Sequence, residues 1–448
     1  MQIGRKDVLW NYAATILQIG AGVILLPFIL KVFPRETVAI WTIFSTIVTL
    51  SGMFDFGFNP SFARNVSYVV SGVKELKKNG FQIVENNNEV DYGLFKGIID
   101  SMRWFYGRIA FILFVLLISV GTYYIKTILK TYPYNHLEVY ISWFILCTIN
   151  SYSLYTLYYD SLMQGQGFVK RAKQIQMTGQ IIYLVVAAIL IILKFNLIAI
   201  VSAQALSILV RRALSYRTVF TAEFKQRLQS LTVQSRKDIL KVIYPNAVKI
   251  GLTSIGGFLV LRSSIIIGSL YLSLETIASY GITMQIISII GGIASVYFTT
   301  YQPKIVQLRT QNNLHEIKHT YVRACFLLLA TYLICGISLL YLGNLALYLI
   351  GSKTPLLHQS VMALALVVAL LETNHSMAGS ILLTKNEVPF FKASLFSGVV
   401  TVILLFVFLK YTQIGVWGMV LAPGIAQGCY QNWHWPAVVI KELNKNIC

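Results

Sequence analysis

The chain has 448 residues, 56% of them hydrophobic and 12% charged, with a mean hydropathy of +0.66 and a formal net charge of +20. No soluble core could hide that much apolar surface, so the composition excludes a soluble globular protein and makes lipid the solvent. In a membrane protein a basic excess belongs to loops facing anionic headgroups, so membrane lipids are expected partners and nucleic acid is not.

Spanning helices need about 20 mostly apolar residues, and stretches near 8–31, 38–60, 104–125, 138–161, 177–194, 197–216, 243–271, 277–301, 321–343, 357–384, 393–410 and 414–434 qualify. The first follows Arg5-Lys6 and runs on to Leu30 without a small-x-small cleavage site, so it reads as a retained span and not as a signal peptide. The second ends in MFDFGFNPSFARN, Met53 to Asn65, whose Asp55-Phe56-Gly57 matches the magnesium-holding triplet of protein kinases. The uncharged VAIWTIFSTIVTLSGM in front of it argues for a helix end instead. In the fourth span, Tyr152, Tyr155 and Tyr159 form a stripe at helical spacing beside Asn150, able to stack on sugar rings or to anchor the helix at the interface. Asp160 lies at the end of that span, where a salt bridge is the expected role.

The seventh span carries Lys249 and Arg262, and the tenth carries Glu372, Asn374 and His375, with Glu372 and His375 on one face at i,i+3. Ionised groups inside hydrocarbon are costly and face a cavity or a partner. Glu372 and His375 therefore read as a coupling-ion or proton site, or as one side of an ion pair with Arg262 or Lys249. The five cysteines show no CxxC or Cys/His spacing, so neither a disulfide framework nor a metal site is expected. GxSxG, HExxH and Walker motifs are absent, and GQGFVK at Gly165 to Lys170 has no strand before it; an enzyme and a cofactor are not expected.

The amino terminus, the carboxyl tail and every second connector together hold 27 of the 37 lysines and arginines, against 7 in the alternate connectors, which places both termini in the cytoplasm. The chain also repeats itself. RKDVL at Arg5 to Leu9 returns as RKDIL at Arg236 to Leu240, each before a long span that Gly and Pro are expected to break: Gly20, Gly22 and Pro27 in one, Pro245, Gly251, Gly256 and Gly257 in the other. ETVA at Glu36 to Ala39 returns as ETIA at Glu275 to Ala278, and LMQGQG at Leu162 to Gly167 has a weaker counterpart in LLTKNE at Leu382 to Glu387. The order is the same in both, so residues 1–217 and 243–448 read as two six-helix halves in parallel repeat, joined by a cytoplasmic linker at 218–242. The expected fold class is an all-α polytopic membrane protein, and such a repeat is a transporter architecture, with the substrate path between the halves.

Asn11 with the Pro27-containing first span, DFGFNPSFAR, the GQG turn, and LRSSIIIGS with ASYGI between Leu261 and Ile282 together resemble the polysaccharide-transporter branch of the multidrug/oligosaccharidyl-lipid/polysaccharide flippase superfamily, in particular Wzx-type O-antigen flippases. The resemblance covers essentially the whole chain. It implies a MOP/MATE-like fold in the bacterial inner membrane, alternating access, and an undecaprenyl-diphosphate-linked oligosaccharide as cargo in O-antigen, lipopolysaccharide or other surface polysaccharide biosynthesis. It further implies a polymerase and chain-length machinery as partners. In this family the second span ends in Asp-x-Gly-x and then a basic residue, which Asp55, Gly57 and Arg64 match, and a cationic cavity would draw on Arg262, Lys249 and Arg64. Where many relatives carry an acid just after the arginine of the seventh span, this chain has Ser263 and Ser264.

Two rival readings stand beside this one. A drug/cation antiporter of the same superfamily would carry an acid in the first span, and Val8 to Leu30 has none. A membrane-embedded glycan polymerase or acyltransferase would need longer outer connectors. The charge pattern yields a direct check: a topology reporter fused at Gln311 is expected to read cytoplasmic and one at Ser352 periplasmic, and the opposite reading at either point overturns the twelve-span arrangement.

Overall fold

The structure is a computed structural model and describes residues 20, 24–70, 72–73, 76, 90–229, 236–310, 313–385 and 388–444. Among these residues there are helices and connectors and no strand. Helices close their backbone hydrogen bonds within themselves, which is what hydrocarbon demands of a chain with no water to bond. Helix α1 covers residues 24–32; the rest of the expected first span lies outside the described residues.

Most of the remaining expected spans appear as helices longer than predicted, several in two pieces. The second is α2 (Arg35–Met53) and α3 (Phe58–Val70), and the third is α4 (Tyr92–Leu116), a π-turn (Leu117–Gly121) and α5 (Thr122–Leu129). The fourth is α6 (His136–Tyr155) and α7 (Tyr158–Gly165), followed by α8 (Val169–Ile192), α9 (Asn196–Val219) and a short polar helix α10 (Ala222–Gln229). Then come α11 (Arg236–Gly268), α12 (Leu274–Ala294) with α13 (Val296–Thr310), α14 (Leu314–Leu349), α15 (Gln359–Leu383), α16 (Phe391–Tyr411), and α17 (Val416–Gly428) with α18 (Gln431–Asn444). Nine stretches among the described residues are long and apolar enough to cross a membrane. Phe111, Ile334 and Leu349 are 67%, 68% and 74% exposed on such helices, as lipid-facing side chains are.

The chain divides into two compact units, one made of residues up to Val32 together with Ile47–Gly251, the other of Phe33–Thr46 together with Leu252–Cys448. In the first, α8 and α9 form an antiparallel pair, α9 packs on α6, and α3 lies against α7. The π-turn has a local cause: a Cβ at Gly121 would sit 2.6 Å from the Trp143 ring, and Trp143 Nε1 donates to Thr122 Oγ1 at 2.9 Å. The widened turn accommodates the indole. In the second unit, α16 packs on α17, α15 on α14 and α18, and α12 on α14 and α15.

The seventh span departs from expectation. Pro245, Gly251, Gly256 and Gly257 lie in one unbroken helix, α11, of 33 residues. Gly256 serves close approach instead: a Cβ there would meet the Ser394 carbonyl carbon of α16 at 2.4 Å, and one at Gly398 would meet Gly256 O at 2.9 Å. Ser394 Oγ donates to Thr253 O at 3.2 Å across the same crossing. Small residues at helix contacts are how membrane helices gain packing where lipid supplies no hydrophobic drive. Gly257, one residue on, has nothing within 4 Å. Gly256→Ala is therefore expected to destabilise the detergent-solubilised protein by about 1–3 kcal/mol through overpacking, and Gly257→Ala to leave its melting temperature unchanged or slightly raised; equal effects at the two positions would contradict the crossing.

Candidate functional site

Among the described residues, each unit holds a cavity with charged and polar groups on its wall. The cavity of the second unit has a volume of about 320 Å³ and is lined by α15, α11 and α16 together with the ends of α17 and α18, with Glu372, His375, Ser376, Gln427, Gln431 and Trp435 on its wall. Helical spacing puts Glu372, His375 and Ser376 on one stripe of α15. His375 Nδ1 lies 2.9 Å from Asn432 Oδ1; with the amide oxygen as acceptor, Nδ1 carries the proton and donates. The same nitrogen is 3.7 Å from Glu372 Oε2, too far for a hydrogen bond.

Glu372 is left under-satisfied. Ser376 Oγ donates to its Oε1 at a long 3.4 Å, and its Oε2 is buried with no hydrogen-bond partner among the described residues. An acceptor in that state is open to a small cation or a hydrogen-bond donor inside the cavity. The alternative expected for it, an ion pair with Arg262, is not formed; the side chain of Lys249 lies outside the described residues. Asn374 faces elsewhere, accepting from Cys325 Sγ at 3.6 Å.

Arg262 is half-buried on α11, and no hydrogen bond or ion pair joins it to another described residue. Arg64 is exposed on α3. Asp55 has a structural job: both its oxygens accept from Asn59 N, at 3.0 and 3.2 Å, and Tyr106 Oη donates to Oδ1 at 2.6 Å. It caps α3, the helix that follows, and not the end of the one before. The turn it holds carries Phe56 at φ +48° and Gly57 at φ +71°, a left-handed pair that costs a non-glycine residue about 1–2 kcal/mol. The second span thus does not end near residue 60 but turns and continues to Val70.

The tyrosine stripe is divided by the break after Tyr155. Tyr152 and Tyr155 remain exposed on α6, whereas Tyr159 is buried on α7 within a ring cluster, 4.5 Å from Tyr158 and 5.8 Å from Tyr216. Arg103 caps that cluster, 5.4 Å over the Phe220 ring. Asn150 is buried and donates to Leu146 O of its own helix at 2.8 Å. Asp160 makes the expected salt bridge, with Arg212 Nη1 at 2.9 Å.

Sequence reasoning missed the amides. Gln427, Gln431 and Asn432 are buried at the α17–α18 break; the two glutamines line the Glu372 cavity, and Asn432 holds His375. The signal was present in QGCYQN, three amide side chains at i, i+4 and i+5 inside an apolar segment, a spacing that puts them on one side of a helix. Among the described residues no group of three or more His, Cys, Asp or Glu could hold a metal ion, and Cys147, Cys325, Cys335 and Cys429 are free thiols.

No protein-family model matches the chain, and no curated protein matches it in sequence. Solved structures do match in fold. An inward-facing multidrug resistance MATE family transporter of the MOP superfamily aligns with a TM-score of 0.67 at 16% identity, over 97% of this chain and 96% of its own. A MATE protein in a bent conformation aligns with a TM-score of 0.57 at 16% identity, over 99% of both chains. A MOP superfamily transporter from Pyrococcus furiosus, described as having a binding pocket of reversed polarity, aligns with a TM-score of 0.53 at 15% identity, over 98% of this chain and 96% of its own. At such identities the likeness is one of fold, and the chain has the MOP/MATE-like fold of a multi-pass membrane protein.

The cavity at Glu372 is open to a water-soluble reagent if its polar wall holds water. In a cysteine-free background, Ser376→Cys is expected to react with a water-soluble maleimide, and Ser397→Cys, buried against Ala426 of the same unit, to stay unlabelled; equal labelling would mean that the cavity is not the route of access.

Proposed function

We propose that the chain is a flippase that moves an oligosaccharide linked to undecaprenyl diphosphate across the bacterial inner membrane by alternating access, for assembly of a surface polysaccharide. Both termini lie in the cytoplasm in this reading, the two six-helix halves at 1–217 and 243–448 are the moving parts, and a polymerase with its chain-length machinery takes the product. A fold shared with MOP superfamily transporters over nearly the whole chain supports transport. The observation that carries the choice of cargo is Arg262: a half-buried guanidinium on a membrane-crossing helix, with no carboxylate paired to it among the described residues. An unneutralised cation in hydrocarbon is costly, and an anionic cargo is what makes it favourable. Pyrophosphate suits arginine because the planar fork donates paired hydrogen bonds.

A second reading has its own observation. The bare Glu372 oxygen over a polar cavity is what an ion-coupled drug or cation antiporter would use. The absence of an acid from the first span counts against it. In the flippase reading the same carboxylate takes the coupling ion. A membrane-embedded polymerase or acyltransferase would need longer outer connectors than the sequence provides.

The test is surface glycan display in a flippase-deficient cell, normalised to protein in the membrane. Arg262→Lys is expected to retain part of the display, and Arg262→Ala to lose most of it while reaching the membrane in normal amount. Wild-type display by Arg262→Ala would overturn the anion-binding role. Restored drug tolerance, in place of display, would favour the antiporter.

A further inference from the structure

The cavity of the first unit plays no part in the function proposed above. It has a volume of about 540 Å³ and lies between α7, α8 and α9, with Asp160, Gln164, Lys173, Gln176, Arg211 and Arg212 among its lining residues. We propose that it is a binding site for a phosphate-bearing anion, independent of the cargo reading and of Arg262.

The argument begins with charge. Arg212 is buried and satisfied: Nη1 pairs with Asp160 at 2.9 Å, and Nη2 donates to Ser153 O at 3.2 Å. That pair uses the one acid on the cavity wall. Lys173 finds only a neutral amide, Gln176 Oε1 at 3.5 Å. Arg211 finds less, since its Nε is buried with no hydrogen-bond partner and no described residue accepts from it. Three cations therefore face one cavity against the single carboxylate of Asp160, which is within hydrogen-bond distance of Arg212 and acts on Arg211 only through space.

The placement of Arg211 is built into the backbone. Its stem crosses α8 over Gly179, where a Cβ would lie 2.3 Å from Arg211 Cγ and Cδ and 3.0 Å from Nε. Ser207 Oγ donates to Gly179 O at 2.7 Å and holds the two helices at that distance. Any larger residue at 179 would push the arginine away. A long cationic side chain is thus threaded through a gap made for it, to a wall whose one carboxylate, Asp160, is already paired with Arg212. A guanidinium and an ammonium converging on one space, with Gln164 and Ser215 as further polar groups, match an anion with several acceptor oxygens, and phosphate is the common one.

Such a phosphate comes from a lipid headgroup or from solution. Lys173 sits near the start of α8 and Arg211 near the end of α9, so the cavity lies towards one end of the helix pair, the end at which the sequence places an anionic leaflet. The experiment separates the sources. The melting temperature of the full chain in detergent is measured with phosphatidylglycerol and with phosphatidylcholine of the same acyl chains, and with sodium phosphate against sodium chloride at equal ionic strength. Half-saturating concentrations are taken from the same titrations. A rise with phosphatidylglycerol alone assigns a lipid headgroup, and a rise with inorganic phosphate as well assigns a soluble anion; both support the site. Arg211→Gln and Lys173→Gln are each expected to weaken the response by about tenfold or more, the loss of one charge-assisted hydrogen bond. Arg171→Gln, an exposed arginine on the same helix outside the cavity, is expected to leave it unchanged. Should Arg211→Gln fail to fold, Lys173→Gln decides the matter by itself. Absence of any anion-specific rise in the wild-type protein, an unchanged response in the cavity variants, or an equal loss in Arg171→Gln would overturn the proposal.

Discussion

The cost of an unpaired charge in hydrocarbon organises this protein. Translocation-scale penalties of about 2.5–3.5 kcal/mol for a single Arg, Lys or Asp at a helix centre are large against the net stability of a fold. The chain answers with pairs wherever charge serves structure alone. Arg212 is held by Asp160 in the first unit, and in the second Arg309 and Lys385 share Glu442 at 2.7 and 2.6 Å. Against that background the exceptions stand out: Arg211 and Lys173 in one cavity, Glu372 in the other, and Arg262 on α11. Those four charges are the ones on which the proposals above rest.

Backbone satisfaction is the second demand of the same solvent, and it explains why the helices bend where they do. A span can be interrupted only where the freed carbonyl and amide groups find partners. At the α2–α3 turn Asp55 accepts from Asn59 N, and Tyr106 steadies the carboxylate from α4. The helix opened by ETVA breaks after Met53 and that opened by ETIA after Ala294, so the two copies of the motif head two broken helices. The α6–α7 interruption has no partner in α15, which runs unbroken from Gln359 to Leu383. The repeat is therefore kept in some breaks and lost in others.

Much of this was legible in the sequence. Long apolar runs give spans directly, because crossing hydrocarbon leaves the chain few alternatives, and the Asp160 salt bridge followed from an acid at the end of a span with arginines nearby. Other features were hidden for physical reasons. Pro245 and the glycines of α11 read as breakers because helix propensity is a local quantity, whereas Gly256 is fixed by contact with Ser394, more than a hundred residues away. The tyrosine stripe assumed one continuous helix, and a two-residue interruption after Tyr155 turned Tyr159 into the core. Arg211 counted as one more basic residue of a connector, since nothing in the order of residues says that Gly179 opens a channel for its stem.

The two units, alike in helical plan, hold opposite chemistry. The wall of the first cavity carries three cations and one acid, and that of the second carries Glu372 beside a histidine and two glutamines, with no Lys or Arg on it. Arginine keeps its charge at physiological pH, which suits the anion proposed for the first cavity. The wall with three cations and one acid suits an anion, as proposed above, and the wall with one carboxylate and no Lys or Arg suits a cation or a neutral donor.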